Sequence, residues 1–280
     1  MMKLSVAIAD AVAGPSAFVV WRGFEDSARK AAEYGYHGVE LALRCKEDVD
    51  APALRHLLKQ YGLEVSCVST GQVFADLGLY LTNPDEAQRG EALRVLNGLV
   101  EMAAEFGGMI NLGRCRGFIA PNQDKREATD LFLGSLDILL PIAKSLGVTV
   151  IIEPVNRYEI NFINNVGECA ALLKEVAHPN VGIMPDVFHM NIEDAHIGRA
   201  LADNAALVKY VHLADSNRLA PGWGHLDFNE VFAGLRQGGY DGWVSIEILP
   251  KPDPDTAARQ AADTILPLVR RYNEGDMFFA

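Results

Sequence analysis

Four ionisable residues interrupt short apolar runs in the second half of the chain. They are Glu153 in VIIEP, Asp186 in IMPDVFH, His212 in YVHLAD and Glu247 in VSIEIL. A buried carboxylate is strongly destabilising unless it is paired with a cation or bound to a metal. Three carboxylates and one imidazole that converge on one volume suit a divalent ion such as Mn²⁺, Mg²⁺, Co²⁺ or Zn²⁺. We therefore predict that these four residues bind one divalent ion, provided that the fold brings them together.

The elements that would position these residues follow a repeated pattern. Five times a helical stretch is followed by a glycine and then by a short β-branched run, at 31–43, 57–70, 103–113, 143–154 and 235–249. A glycine at the end of a helix adopts the left-handed conformation easily, and short loops of this kind join helices to strands in α/β proteins. The recurring unit is therefore a helix, a turn and a strand. The glycines concerned are Gly35, Gly62, Gly107, Gly147 and either Gly238 or Gly239.

Three further strands are predicted at 4–9, 181–189 and 208–215, which makes eight. Eight apolar strands that alternate with helices are typical of a parallel (β/α)₈ barrel of about 250 residues. An open doubly wound sheet is the alternative, but such a sheet normally carries a glycine fingerprint after its first strand, and residues 10–14 contain none. We predict a single α/β domain over residues 1–280, a TIM barrel in which the ends of the last four strands meet.

Polar residues near the four candidate ligands are expected to contact a substrate. Glu159, His189 and Arg218 each follow one of the ligands within six positions. A polyol beside a metal needs such donors and acceptors to fix its hydroxyl groups. Each of the three residues, taken alone, is also consistent with a solvated loop position.

Two arginines, Arg114 and Arg116, follow the fourth predicted strand in the segment GRCRG. A guanidinium group matches a carboxylate or a phosphate bidentately, so this segment is a candidate for binding an anionic group. Apolar residues also gather in the loops expected at this end of the barrel, where they would form either a lid or a subunit interface. These apolar residues are Phe18, Val19, Val20, Trp21, Phe74, Leu77, Leu79, Tyr80 and Trp223.

The composition favours small-molecule chemistry. The chain has 25 Lys and Arg against 37 Asp and Glu, a formal charge of −12, which argues against nucleic acid or an anionic membrane as a partner. No apolar stretch approaches the length of about 20 residues that a membrane span needs. The four cysteines form no CxxC pair and are typical of reduced thiols in the cytoplasm.

The most distinctive segments are EPVNRYE (153–159), DVFHMNIE (186–193), HLADSNR (212–218) with GHLDF (224–228), and SIE (245–247). At these segments the chain resembles the xylose isomerase-like TIM barrels of the sugar isomerase and epimerase superfamily, in the branch of the D-tagatose 3-epimerases and keto-sugar-acid epimerases. The resemblance covers essentially the whole chain. It implies that the four candidates form the metal site of the family, with Mn²⁺ as the expected ion, and that the chain forms a homodimer or homotetramer.

The resemblance also implies roles in catalysis. Glu153 and Glu247 match the two glutamates that exchange the proton, and Glu159, His189 and Arg218 match positions that hold substrate hydroxyls. A divalent ion stabilises the enediolate that forms when the proton next to a ketone is removed. If one glutamate removes this proton and the other returns it on the opposite face, the carbon is inverted. If the proton returns to the neighbouring carbon, the same site is an aldose–ketose isomerase.

Three segments indicate a narrower substrate class. Residues 69–84, 162–165 and 216–228 are similar to the bacterial 5-keto-L-gluconate epimerases of inositol catabolism. This similarity predicts conversion of 5-keto-L-gluconate to D-tagaturonate. Gln72, in the first of these segments, and Arg116, in GRCRG, are predicted as further substrate contacts. A ketohexose 3-epimerase, an aldose–ketose isomerase of a neutral or phosphorylated sugar, and a non-catalytic sugar-binding barrel stay open as alternatives. A DNA repair hydrolase of the endonuclease IV type is disfavoured, because most of the seven histidines lie away from the predicted strand ends.

Overall fold

Eight parallel strands alternate with helices in the computed structural model, which describes residues 1–14 and 18–276. The predicted domain also includes residues 15–17 and 277–280, which lie outside the described ranges. A two-residue strand, Trp21–Arg22, pairs with the end of the first barrel strand. The barrel strands are β1 (Lys3–Ala9), β2 (Gly38–Ala42), β3 (Glu64–Ser69), β4 (Met109–Leu112), β5 (Thr149–Ile152), β6 (Val181–Ile183), β7 (Tyr210–Leu213) and β8 (Trp243–Ile246).

Ten α-helices lie within the described ranges, and seven of them begin at an Asp or Asn whose side chain accepts a hydrogen bond from the first turn. Short 3₁₀ turns occupy Lys46–Asp48 and Arg114–Arg116. The α-helices are α1 (Phe24–Glu33), α2 (Ala51–Tyr61), α3 (Gly71–Ala75), α4 (Glu86–Glu105), α5 (Lys125–Ser145), α6 (Val166–Val176), α7 (Val187–Glu193), α8 (Ile197–Asp203), α9 (Phe228–Gln237) and α10 (Pro254–Asn273).

The strands pair in the order β6-β5-β4-β3-β2-β1-β8-β7, and every pairing is parallel. The two ends of this sheet meet through isolated parallel bridges between Ile183 and Val208 and between Asp186 and His212. The backbone N–H of His212 donates to the carbonyl oxygen of Pro185 at 2.9 Å. The sheet therefore closes into a barrel, and the predicted (β/α)₈ fold is confirmed.

The glycine pattern is confirmed, with one alternative resolved. The five helix-ending glycines with positive φ are Gly35, Gly62, Gly107, Gly147 and Gly239. Gly238 has φ of −77° and still continues the turn of α9, so the left-handed residue is Gly239.

The predicted strand at 181–189 is wrong in its extent. Strand β6 ends at Ile183, and helix α7 begins at Val187. Asp186 causes this change of direction, because its Oδ1 atom accepts a hydrogen bond from the backbone N–H of Phe188 at 2.8 Å and caps the helix.

Apolar side chains fill the layer between the strands and the surrounding helices. Inside the barrel, Cys67, Ile151, Met184 and Tyr210 form a separate apolar cluster. Among the described residues, no helix combines the length and the apolar character needed to cross a membrane.

Candidate active site

The four predicted ligands lie together at the carboxyl end of the barrel. Glu153 and Glu247 directly follow β5 and β8, Asp186 caps α7 after β6, and His212 lies within β7. One ligand atom from each residue lies within 4.8 Å of the others. The closure of the barrel produces this arrangement, because the bridge that joins β6 to β7 places Asp186 directly beside His212.

The imidazole of His212 is surrounded by carboxylates. Its Nδ1 atom lies 3.7 Å from Oε1 of Glu153, 3.9 Å from Oδ2 of Asp186 and 3.4 Å from Oε2 of Glu247. His212 and Asp186 are fully buried, and within the described part of the chain Nδ1 has no hydrogen-bond partner. An orphaned imidazole nitrogen that faces three carboxylate oxygens fits a divalent ion, which would satisfy all four groups.

Glu40, a residue that the sequence analysis does not identify, orients His212. Its carboxylate oxygens on β2 lie 2.9 and 3.0 Å from Nε2 of His212, and its Oε2 atom accepts the Tyr210 hydroxyl at 2.9 Å. Burial alone would raise the pKa of Glu40, but the adjacent His212 and these hydrogen bonds lower it. The proton on Nε2 therefore points at Glu40 and directs Nδ1 towards the three carboxylates. The only local signal is an acidic residue inside the apolar run GVELAL.

Arg218 is the cation within the cluster. Its guanidinium donates to both Asp186 and Glu247, and it lies over the ring of Phe188 at 4.9 Å. Burial opposes ionisation of Asp186, but the positive charge of Arg218 prevails and lowers the pKa of this carboxyl to about 2. The backbone of Arg218 has φ of +63°, a strained conformation for a residue with a side chain, and such strain is concentrated at functional sites.

His189 and Glu159 are joined by Asn156. The Nδ2 atom of Asn156 donates to Nδ1 of His189 at 2.8 Å and to Oε1 of Glu159 at 3.1 Å. Burial lowers the pKa of His189 to about 3, so the ring is neutral. Because Asn156 donates to Nδ1, the proton of the neutral ring is on Nε2. This nitrogen lies 3.8 Å from Oε1 of Glu153, so His189 presents a hydrogen-bond donor to the carboxylate cluster.

Glu153 has an unusual environment for a carboxylate. Burial, together with the negative charges of the nearby Glu247 and Asp186, raises its pKa to about 7 against the opposing effect of His212. The chain at Gly113 passes so close that a Cβ atom there would lie 2.7 Å from Oε2 of Glu153. A side chain at this position would displace the Glu153 carboxylate, so Gly113 is part of the structure that positions Glu153.

A cavity of about 510 Å³, counted with its open mouth, lies above the cluster. Glu153 and Glu247 line it, so both carboxylates can reach a bound molecule. The cavity is of the size that holds small ligands. Four of the predicted substrate contacts also line it, namely Gln72, Glu159, His189 and Arg218.

Gln72 presents an acceptor in the cavity wall. Its Nε2 atom donates to the carbonyl oxygen of Ala42 at 2.8 Å, which fixes the orientation of the amide. The opposite atom, Oε1, is buried and has no partner among the residues that the structure describes. A hydroxyl group of a bound sugar would satisfy it.

The two arginines of GRCRG occupy different places. Arg116 is fully buried behind the wall of the cavity and donates to the carbonyl oxygens of Gly113, Phe162 and Ile163 at 2.7 to 2.9 Å. It joins the loop after β4 to the loop after β5, and burial lowers its pKa to about 10. Arg114, in contrast, lines the cavity. A direct contact between Arg116 and a substrate stays a prediction.

The predicted apolar loop residues separate into buried and exposed groups. Val19, Val20 and Trp21 are buried, whereas Leu77 is 44% exposed. Phe18 lines the cavity, and Phe74 packs against Tyr80 and Phe118 at centroid distances of 6.1 and 6.2 Å. The two interpretations of this set, a lid and a subunit interface, both stay predictions. Two further members, Leu79 and Trp223, pack against the main core.

Comparisons with known proteins agree with this geometry. The model of the family described as xylose isomerase-like TIM barrel matches residues 28–268. A ketose 3-epimerase of Arthrobacter globiformis is 31% identical over 241 residues, which cover 82% of this chain and 81% of that protein. A 3-dehydro-D-guloside 4-epimerase of Escherichia coli K12 is 30% identical over 257 residues, which cover 83% of this chain and 90% of that protein. The crystal structure of a 3-keto-D-glucoside 4-epimerase from E. coli superposes with a TM-score of 0.80 at 26% identity and covers 96% of this chain and 99% of that one.

Proposed function

The chain belongs to the xylose isomerase-like TIM barrel family, and we propose that within it the protein is a metal-dependent epimerase of a keto sugar acid that converts 5-keto-L-gluconate to D-tagaturonate. The observation that carries this proposal is the cluster of Glu153, Asp186, His212 and Glu247 around one unpartnered imidazole nitrogen at the base of a cavity. The relatives described above are epimerases of keto sugars, which supports the same reaction class.

The same four residues would hold one divalent ion, with Mn²⁺ as the proposed metal. When bound, such an ion stabilises the negative charge that develops on a ketone oxygen as the adjacent proton leaves. Within the chain, Glu40 holds the His212 ring in the orientation that exposes Nδ1, and Arg218 donates to Asp186 and Glu247 and balances part of their negative charge. These contacts prepare the donor set before any ligand arrives.

Glu153 and Glu247 are the proposed proton-transfer groups. Both line the cavity, and they follow strands β5 and β8, which are separated in the barrel by β6 and β7. One carboxylate removes the proton next to the ketone and the other returns a proton to the opposite face of the same carbon. The neutral His189 ring donates from Nε2 towards the substrate oxygens, and Glu159 accepts from a hydroxyl group.

A neutral ketose is the second candidate substrate, because the relative from Arthrobacter is a ketose 3-epimerase. The reaction at the metal cluster would be identical, and only the far end of the substrate would differ. We favour the keto acid because residues 69–84, 162–165 and 216–228 resemble keto-acid epimerases, and because Arg114 lies in the cavity wall. The assembly into a homodimer or homotetramer belongs to the same proposal.

The test is deuterium exchange followed by NMR. The purified protein, loaded with Mn²⁺, is incubated in D₂O with 5-keto-L-gluconate and, in a parallel tube, with D-tagatose. Deuterium next to the ketone together with formation of D-tagaturonate supports the proposal. Exchange with D-tagatose alone would show that the substrate is a neutral ketose. No exchange with either compound would overturn both the keto-acid and the neutral-ketose proposal.

Single variants test the two glutamates. Glu153→Gln and Glu247→Gln should each abolish conversion, whereas Glu64→Gln should not, because Glu64 is exposed at the other end of the barrel and pairs with Lys3 at 2.6 Å. Retained conversion in either active-site variant would contradict the proposed two-glutamate transfer.

A further inference from the structure

Arg114 occupies a special position next to the proton-transfer groups. It follows β4 through Gly113, begins the short 3₁₀ turn and lines the same cavity as Glu153 and Glu247. The approach of Gly113 to Oε2 of Glu153 brings the backbone of this segment close to the carboxylate cluster. Arg114 is therefore within the site and not on the outer surface of the barrel.

The guanidinium of Arg114 has no anionic partner. Across residues 1–14 and 18–276, it makes no hydrogen bond and no ion pair. Its neighbours are two aromatic rings, with the guanidinium carbon 5.6 Å from the ring centroid of Phe74 and 6.0 Å from that of Phe18. A cation–π contact with aromatic rings leaves the five N–H donors of a guanidinium available.

The other two arginines of the region are already occupied. Arg218 donates to Asp186 and Glu247, and the terminal guanidinium nitrogens of Arg116 donate to three backbone carbonyls behind the cavity wall. Among the described residues that line the cavity, Arg114 is therefore the one guanidinium with all its donors available.

We propose that Arg114 binds the carboxylate of the substrate and thereby selects a keto sugar acid over a neutral ketose. This inference rests on the proposed function and names the residue that sets its substrate class. A single guanidinium satisfies a carboxylate through two parallel hydrogen bonds. A phosphate group is usually held by several cations or by a nest of backbone N–H groups, and Arg114 alone does not provide these.

The negative charges of the cavity also favour a role for Arg114 in binding an anionic substrate. An acidic substrate must enter a cavity that already contains Glu153, Glu247 and Glu159. Like charges repel, so a substrate carboxylate is favoured beside a cation that is not already paired with these carboxylates. Arg114 supplies this cation, whereas a neutral ketose has no group that requires it.

The test compares Arg114→Met and Arg114→Lys with the wild type on 5-keto-L-gluconate and D-tagatose. We expect Arg114→Met to lower kcat/KM for the keto acid at least about tenfold more than for D-tagatose, mainly through KM, because a charge-assisted bidentate contact is lost. Arg114→Lys keeps the positive charge but lacks the planar guanidinium that makes two parallel hydrogen bonds, so it should recover part of the lost kcat/KM. Arg126→Met is the matched control, since Arg126 is 90% exposed on α5 and does not line the cavity.

Binding of unreactive analogues separates this inference from the proposed function. D-Gluconate carries a carboxylate where D-glucitol carries a hydroxymethyl group, and neither compound has a ketone. Calorimetry therefore measures the binding of each without any reaction. Arg114→Met should lower the affinity for D-gluconate at least about tenfold more than the affinity for D-glucitol. If no keto sugar exchanges deuterium, the proposed function fails, while this measurement still decides the role of Arg114.

Three results would overturn the inference. The first is an equal loss of acidic and neutral ligands in Arg114→Met, with a thermal unfolding curve that shows an intact fold. The second is unchanged binding of D-gluconate. The third is a preference of the wild type for D-tagatose 6-phosphate over the keto acid that disappears in the variant, because the anion would then be a phosphate.

Discussion

Replacement of Glu40 by Gln tests how the site prepares His212 for a metal. The Glu40 side chain is fully buried and accepts from both Nε2 of His212 and the hydroxyl of Tyr210. Glutamine has nearly the same volume but lacks the negative charge, so the variant changes the electrostatics with little change in packing. The ring of His212 then loses the charged partner that directs Nδ1 towards the other ligands.

The expected effect is a loss of metal affinity. Removing a group that orients a metal-binding histidine typically lowers metal affinity about 10- to 100-fold. Because the amide oxygen of the introduced glutamine would still accept one hydrogen bond, we expect the lower end, about tenfold or about 1.4 kcal/mol. Glu40→Ala should weaken the metal about 100-fold and also destabilise the fold, because the buried Tyr210 hydroxyl loses an acceptor.

The assay is calorimetric titration of metal-free protein with Mn²⁺ at constant pH, with thermal unfolding measured on the same samples. Glu64→Gln is the control, because Glu64 also belongs to a barrel strand but is exposed and paired with Lys3. If the Glu40→Gln variant keeps its fold and binds Mn²⁺ within about twofold of the wild type, the proposed orienting role of Glu40 is wrong.

Three other predictions concern the metal, the loop after β4 and a buried carboxyl. Removal of the divalent ion with a chelator should lower Tm, because an ion at about 100 times its Kd contributes about 2.7 kcal/mol to folding; an unchanged Tm would mean that no ion binds. Gly113→Ala places a Cβ atom 2.7 Å from Oε2 of Glu153, so it should lower the rate of deuterium exchange with only a small change in Tm. Gly134→Ala, where a Cβ atom meets nothing, should leave the exchange rate unchanged. Burial raises the pKa of Asp194 from 3.8 to about 6, so stability is full below about pH 4 and declines as pH rises through about 6. Asp194→Asn should therefore raise the free energy of unfolding more at about pH 8 than at about pH 4, by about 1 kcal/mol after allowance for partial exposure of the carboxyl. Denaturant unfolding at the two pH values measures this, and an equal effect at both would contradict it.

The positions of the four candidate ligands follow from local sequence patterns. Glu153 and Glu247 end short apolar strands, and such positions in a barrel always face the same end. The pattern of helix, glycine and strand is local as well, because each left-handed glycine depends only on its own helix. Sequence reasoning therefore predicts the barrel and the convergence of these residues.

Contacts between distant parts of the chain do not follow from such patterns. Glu40 lies 172 residues from His212, and its run GVELAL is also compatible with a glutamate at the outer face of the strand. Arg114 and Arg116 are two residues apart, and the 3₁₀ turn after Gly113 decides which of them enters the cavity. The sequence motif GRCRG has no feature that reports this turn.

The helix that replaces the end of the predicted sixth strand has a different explanation. The run VGIMPDVFH is continuously apolar except for Asp186, so its hydrophobicity alone favours a long strand. Pro185 and Asp186 are nevertheless a recognisable boundary, since Asp often caps a helix and Pro does not continue a ladder. The carboxyl group of Asp186 caps α7 through Oδ1, while its Oδ2 atom faces His212 and accepts from Arg218, so one residue serves both the fold and the site.

The arrangement of the two glutamates favours inversion of one carbon over transfer of a proton between neighbouring carbons. Transfer along one face needs a single carboxylate, whereas inversion needs a second one that reaches the other face. Glu153 and Glu247 follow strands that are not adjacent, and both line the cavity. Their environments also differ, because Arg218 donates to Glu247, whereas Glu153 faces the neutral His189 and has a pKa raised to about 7. Two carboxylates that reach the same cavity from different strands are what proton transfer from one face of a carbon to the other requires.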